Sequence, residues 1–388
     1  MSVASNPRME RQRKQGADVT SISREHLREV HLTLRPMPNE RPAMMLWRLE
    51  ALLREHDATV VRIEVFGQVA AHEETAARIR KLLREPDLPI LCLEGRGPAN
   101  PVIAGIHVFA IGDATVEPLV VDGATVGRVV DDGATRHVLL GDVAPANCSA
   151  SRADQTRSLF DRVEKCVGAA GMSMHNVVRT WMFLDDILDW YGLFNAVRTE
   201  FFKSHKVLNH LVPASTGVGV KNIHNAALVC GVWAVDQKQS SISVRELGSP
   251  LQCPAPQYGS SFSRAIEMLT PEYRRVLISG TASIHGGGAT ARVDDVRGQI
   301  DLTMDVVQAI LSANALTLTA ATRATAYFKD IAHAPLFEDW CRQKGLLRLP
   351  CVSVQADGCR DDLLFQLELD AVAQIAPKIE RRRRNEKD

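Results

Sequence analysis

Apolar and polar positions alternate along this chain with two periods. Over Gln155 to Ala170, Leu159, Val163, Cys166 and Val167 fall on one face, as an amphipathic helix requires. Gln299 to Ala313 repeats the pattern with Leu302, Val306, Ile310 and Leu311. Val177 to Leu184 and Thr322 to Phe328 are rich in β-branched and aromatic residues and predict strands. Ala227 to Val235 and Asp362 to Leu369 predict two more. A strand-like run with a Gly turn precedes each helix, at Arg136–Asp142 and Arg275–Thr281. An aromatic-rich helix follows each central strand, near Trp190–Phe202 and Ala334–Lys344.

These elements belong to an internal repeat. Gln155 to Ile187 falls on Gln299 to Ile331 without a gap, and seven of the 33 positions are identical, Arg179/Arg323 among them. Each copy reads β, α, β, α, β, β, an α+β unit with a mixed sheet backed by two helices. The expected organisation is a disordered arm over residues 1–27, an N-terminal α/β segment over 28–135, and a first unit over 136–236. A connector over 237–256, a second unit over 257–376 and a charged tail over 377–388 complete it. Within 28–135, Val60–Phe66 and Val102–Ile111 predict strands and Glu73–Arg84 a helix. That segment is either a degenerate copy of the repeat or a separate unit.

Composition narrows the function. The 388 residues carry 46 Lys+Arg against 46 Asp+Glu, so no basic surplus exists for nucleic acid or an anionic membrane. The run Arg381–Arg384 reads as a solvated tail. No stretch approaches a spanning length, and the polar N-terminus is not a secretory signal. The eight cysteines form no CxxC pair and read as reduced thiols of a cytoplasmic protein. No histidine spacing suits a metal, and Gly95–Pro98 lacks the Lys-Ser/Thr of a phosphate loop.

The repeat resembles the YjgF-like fold of the reactive-intermediate deaminases. Two fused units behind an N-terminal segment resemble the chorismatase (chorismate hydrolase) family. The first unit carries the resemblance in Trp181–Leu188, Trp190-Tyr191, Phe194-Asn195, Arg198 and Pro213–Val220. The second carries it in Tyr258–Ala265, Ile278–His285 and Cys359–Gln366. The resemblance implies cleavage of the enolpyruvyl ether of chorismate in aromatic secondary metabolism. Pyruvate leaves, together with a hydroxybenzoate or a dihydroxycyclohexadiene carboxylate. It implies no cofactor, a small-molecule partner, and a monomer or small homo-oligomer. The chemistry needs a general acid for the enol methylene, donors for two carboxylates, and an oriented water or hydroxyl.

The resemblance places candidate roles on particular residues. At Gln366 the family pattern has a glutamate that acts as the acid, and an amide has no acidic proton near neutral pH. Another acid, a different reaction, or binding without turnover would each accommodate it. Cys359 marks the hydroxybenzoate-forming branch of the resemblance. Two residues beyond Gln366 on a strand, Glu368 shares its face and is the candidate substitute acid. Tyr191 and Arg198 are two helical turns apart and share a face suited to a carboxylated ring. Ser215, Tyr258, Arg264, Thr281, Ala282 and Arg360 complete the expected binding set, placed between the two units. Arg179 and Arg323, matched across the repeat, read as structural. An imine deaminase reading is disfavoured, since the Arg that group places after its Pro-Ala is absent from both units.

Overall fold

A computed structural model describes residues 8–24, 26–98, 102–346 and 349–375. It contains three copies of one topology. The first consists of β1 (Arg8–Lys14), β2 (Ala17–Arg24), β3 (Leu27–Leu34), α1 (Pro42–Glu55), β4 (Thr59–Gly67), α2 (His72–Leu83), β5 (Leu91–Glu94) and β6 (Ile103–Gly112). The second consists of β7 (Val116–Val121), β8 (Ala124–Asp131), β9 (Thr135–Val143), α3 (Arg152–Ala169), β10 (Val177–Leu184), α4 (Ile187–Ser204), β11 (Ala214–Gly219) and β12 (Leu228–Gln237). The third consists of β13 (Ser243–Leu247), β14 (Ala265–Leu269), β15 (Tyr273–Ala282), α5 (Val296–Ala313), β16 (Ala321–Phe328), α6 (Ala334–Gln343), β17 (Cys351–Gln355) and β18 (Phe365–Gln374).

The strand orders are β1-β2-β3-β6-β4-β5, β7-β8-β9-β12-β10-β11 and β13-β14-β15-β18-β16-β17. The segment before residue 136 is therefore a full unit plus the first two strands of the next, and the α+β class stands. Residues 8–24 are not a disordered arm. They form β1 and β2, paired from Arg8↔Ser23 to Lys14↔Ala17. The polar sequence of β1 hid it, because an edge strand with mostly exposed side chains needs no apolar alternation. The expected connector likewise contains the edge strand β13. Residues 1–7 and the tail at 377–388 lie outside the described residues.

Each pair of helices covers the outer face of its own sheet. The α3/α4 cluster includes Leu159, Val163 and Phe194, and the α5/α6 cluster includes Val307, Ile310 and Trp340. The inner faces of the three sheets meet in a shared core that contains Leu91, Trp181, Val229, Leu277 and Val352. β10 and β16 are buried on both faces throughout, including Arg179 and Arg323. Ser151 caps α3 by accepting from the Asp154 N–H, and Asp295 caps α5 by accepting from Gly298. Among the described residues no helix is long and apolar enough to cross a membrane.

One connection breaks the threefold regularity. β1–β2 and β7–β8 are joined by the tight turns at 15–16 and 122–123, whereas residues 248–264 join β13 to β14. This strap crosses to the second unit. Ser263 bridges to Ala214, and the Ser261 hydroxyl lies 2.7 Å from that of Thr199 on α4. Gln252 anchors it by donating to the carbonyls of Ala282 (2.9 Å) and Ile284 (3.1 Å).

Candidate functional site

At the junction of the second and third units the strap, α4 and the β17–β18 loop enclose a cleft of about 700 Å³, within the usual range for a small-molecule site. Helical spacing places Tyr191, Asn195 and Thr199 on its α4 wall, with Glu200 and Lys203 near the rim. The strap contributes Tyr258, Ser260 and Phe262, and the loop contributes Cys359 and Arg360. Tyr191, Tyr258, Cys359 and Arg360, expected together from the sequence, do converge.

The arginines around this cleft share an unusual feature. Arg198 is 2% exposed and donates to Asn195 Oδ1, with no carboxylate partner among the described residues. Its Nε has no hydrogen-bond partner. Its guanidinium lies 4.9 Å from the Phe194 ring and 5.9 Å from that of Phe262. Burial lowers its pKa from the ordinary value, with Tyr191 opposing. Arg264, also buried, donates from Nε (3.0 Å) and Nη2 (2.7 Å) to the Cys253 carbonyl and stands 5.3 Å from the Tyr258 ring. Arg360 donates to the Gly288 carbonyl at 2.7 Å and lies 5.6 Å from Tyr258. Gly288 sits at φ +90°, the left-handed region that glycine adopts freely, and a Cβ there would come within 3.0 Å of Tyr258.

Three proton-bearing groups stand on the wall. Burial raises the Cys359 thiol from its ordinary 9.0, only partly offset by Arg360. Burial also raises Tyr191 above 10.0 and pushes Tyr258 to about 12. All three keep their protons at neutral pH.

The remaining expected residues lie elsewhere. Gln366 is buried behind the cleft, its Nε2 3.5 Å from the Gly217 carbonyl. Gly217 borders the Tyr191 ring, and a Cβ on Gly280 would fall 2.3 Å from Gln366 Nε2. Ser215 is buried in the junction, where its hydroxyl accepts from Thr180 and its N–H donates to Ser279 Oγ. The Thr281 hydroxyl donates to the Ser279 carbonyl of its own strand. Ala282 packs with Ile284, Leu363 and Cys359. Ser215 and Thr281 therefore do not line the cleft, because the protein itself uses their polar groups.

Glu368 requires a larger correction. It is fully buried among Arg179 (2.8 Å), Arg323 (2.6 Å), Thr216, Thr325 and Tyr327. Burial alone would raise its pKa, but Arg323, Arg179 and the Thr216 hydroxyl bring it down to about 2. A carboxylate so held has no proton to give at neutral pH. The network continues through Arg323 to Glu64 (2.6 Å) and on to Arg62. Arg62, Arg179 and Arg323 each directly follow a β-bulge at the same place in their units, and all three guanidiniums surround the Trp181 ring. The structural role expected of the matched arginines thus extends to a third.

Sequence reading assigned no role to Asn195, Thr199, Ser260 or Phe262. Asn195 was within reach, being one turn from both Tyr191 and Arg198 in a helical pattern. Ser260 and Phe262 depended on the strap, whose path no periodicity encodes.

Comparison with known proteins agrees with this architecture. The YjgF-like family described as endoribonuclease L-PSP matches residues 142–230. A 3-hydroxybenzoate synthase of Streptomyces hygroscopicus is 26% identical over 244 residues, covering 55% of this chain and 68% of that protein. A chorismatase crystal structure superposes with a TM-score of 0.60 at 17% identity, covering 81% of this chain and 93% of the other. The fold is thus an assembly of YjgF-like units in the chorismatase arrangement. In fold the chain is similar to a chorismatase, and its second unit carries the YjgF-like sequence match.

Proposed function

We propose that this protein is an enzyme that takes chorismate into the cleft between its second and third units and cleaves the enolpyruvyl ether. The products are pyruvate and a hydroxybenzoate of the 3-hydroxybenzoate type. The observation that carries this reading is the set of arginines 198, 264 and 360, held by neutral oxygens beside an aromatic wall. A buried cation without a counter-ion, as at Arg198 and Arg264, is costly, and a dicarboxylate ring compound supplies what is missing. The names of the relatives, a chorismatase and a 3-hydroxybenzoate synthase, support the same chemistry. Nothing in this reading requires a cofactor, and it fits a cytoplasmic monomer or small homo-oligomer.

The proton for the enol methylene comes, in this reading, from Cys359. Gln366 is an amide and Glu368 is ionised. Of the groups that burial keeps protonated on the wall, Cys359 is the one the family resemblance ties to the hydroxybenzoate-forming reaction. Protonation of the methylene generates an oxocarbenium ion at the ether carbon. Rearrangement of the ring hydroxyl then gives pyruvate and the hydroxybenzoate without net consumption of water, whereas attack by water gives the diene diol.

Gln366 favours a second reading, in which the cleft binds chorismate without turning it over. Pyruvate release from chorismate, followed with lactate dehydrogenase for the chain as it stands and for Gln366→Glu, separates the two. Release by both, abolished by Cys359→Ala, supports the enzyme. Release by Gln366→Glu alone supports the binding role. Release by neither overturns the chorismate reading.

A further inference from the structure

Two populations of arginine exist among the described residues around the core and the cleft. Arg62, Arg179, Arg275 and Arg323 each meet a carboxylate: Glu64, Glu368, Glu29, and Glu64 with Glu368, respectively. Arg198 and Arg264, buried next to the cleft, and Arg360, half-buried on its wall, meet neutral oxygens instead. For Arg264 and Arg360 these belong to the backbone, at Cys253 and Gly288, and the chain path sets them. For Arg198 the oxygen belongs to a side chain, Asn195 Oδ1. An aspartate in that position would present the same volume and the same acceptor, and would form an ordinary ion pair one helical turn from Arg198. Asn195 is 9% exposed and lines the cleft, so it stands between Arg198 and any ligand.

We propose that Asn195 is a positioning residue that orients Arg198 while leaving its charge uncompensated, so that an anionic ligand provides the counter-ion. The inference rests on the chorismate reading for the identity of the ligand, but not for the role of Asn195. It makes neutrality, rather than hydrogen bonding, the property required at this position. The aspartate variant keeps the hydrogen bond and cancels the charge, whereas the alanine variant loses the hydrogen bond and keeps the charge.

The test is calorimetric titration of the full chain, as wild type, Asn195→Asp and Asn195→Ala, with chorismate and, separately, with isophthalate as a plain aromatic dicarboxylate. The expected result is that Asn195→Asp weakens dicarboxylate binding roughly 30-fold or more, and Asn195→Ala only three- to tenfold. The melting temperature of Asn195→Asp is expected to match or exceed that of wild type, which shows that the fold is intact. A merely structural asparagine gives the opposite order, with aspartate the milder change, and that order overturns the proposal. If wild type binds isophthalate but not chorismate and the aspartate variant loses it, the role of Asn195 stands and the chorismate reading falls. If wild type binds neither, both fall.

Discussion

The junction of the second and third units contains two arginine-rich regions with opposite design. Around Glu368, the Arg179 and Arg323 guanidiniums meet its carboxylate and the Trp181 ring, Arg179 also donates to the Thr216 hydroxyl, and Thr325 donates to Glu368. Around Tyr191, Arg198 is equally buried, and among the described residues it meets an amide oxygen, the Tyr191 hydroxyl and aromatic rings rather than a carboxylate. The first region pairs its guanidiniums with carboxylates and holds three sheets together, although Arg179 Nε and Nη1 and Arg323 Nη1 have no hydrogen-bond partner. The second is left incomplete, and an incomplete buried site is one that a ligand completes. The residue types are the same, so the partners decide the role.

The largest expected effect lies in the closed region. Glu368→Ala leaves Arg179 without a carboxylate and Arg323 without one of its two close ones, and urea denaturation should show a loss of about 3–5 kcal/mol. A loss below about 1 kcal/mol would place the network outside the stabilising core. Arg198→Met should do the reverse. Stability stays within about 1 kcal/mol of wild type or rises, because an uncompensated charge leaves a buried site, while chorismate binding weakens roughly 30-fold or more. Equal destabilisation by both variants would erase the distinction between the regions.

Acidity sharpens the comparison. Glu368 has a folded-state pKa near 2, below its ordinary 4.5. Its contribution to stability is therefore fully present above about pH 4.5 and is lost as pH falls toward 2. Acid unfolding of wild type should steepen in that window, and Glu368→Gln should flatten it. The smallest effect is expected at Phe262, which lies near both Arg198 (5.9 Å) and Arg264 (5.7 Å). Phe262→Leu should weaken chorismate binding only a few-fold, by about 1 kcal/mol, as loss of cation–π contact predicts. An effect as large as that of Arg198→Met would mean that the ring, rather than the charge, holds the ligand.

Much of the fold was legible because double-sided burial writes itself into sequence. β10 and β16 are rich in β-branched and aromatic residues, and α3 and α5 keep one apolar face in both copies. β1 was not legible, since RMERQRK at a sheet edge looks like a solvated arm. Arg62 escaped because the first unit lacks the gap-free match that linked Arg179 to Arg323. Glu368 was misread for an instructive reason. It does share the face of Gln366, as strand alternation requires, but the partners that ionise it come from β10, β11 and β16. Only the assembled junction brings those elements together. The site was partly legible: α4 gave Tyr191 and Arg198 by helical spacing, whereas the strap had to be seen in place before Ser260 and Phe262 joined them.

One titration tests the central assignment most directly: chorismate into wild type and into Arg198→Met, read by calorimetry. The expected result is one molecule bound per chain, because one junction of the three carries the strap, with binding lost in the variant. Binding that survives Arg198→Met, or a stoichiometry above one, would contradict the assignment of this cleft as the chorismate site.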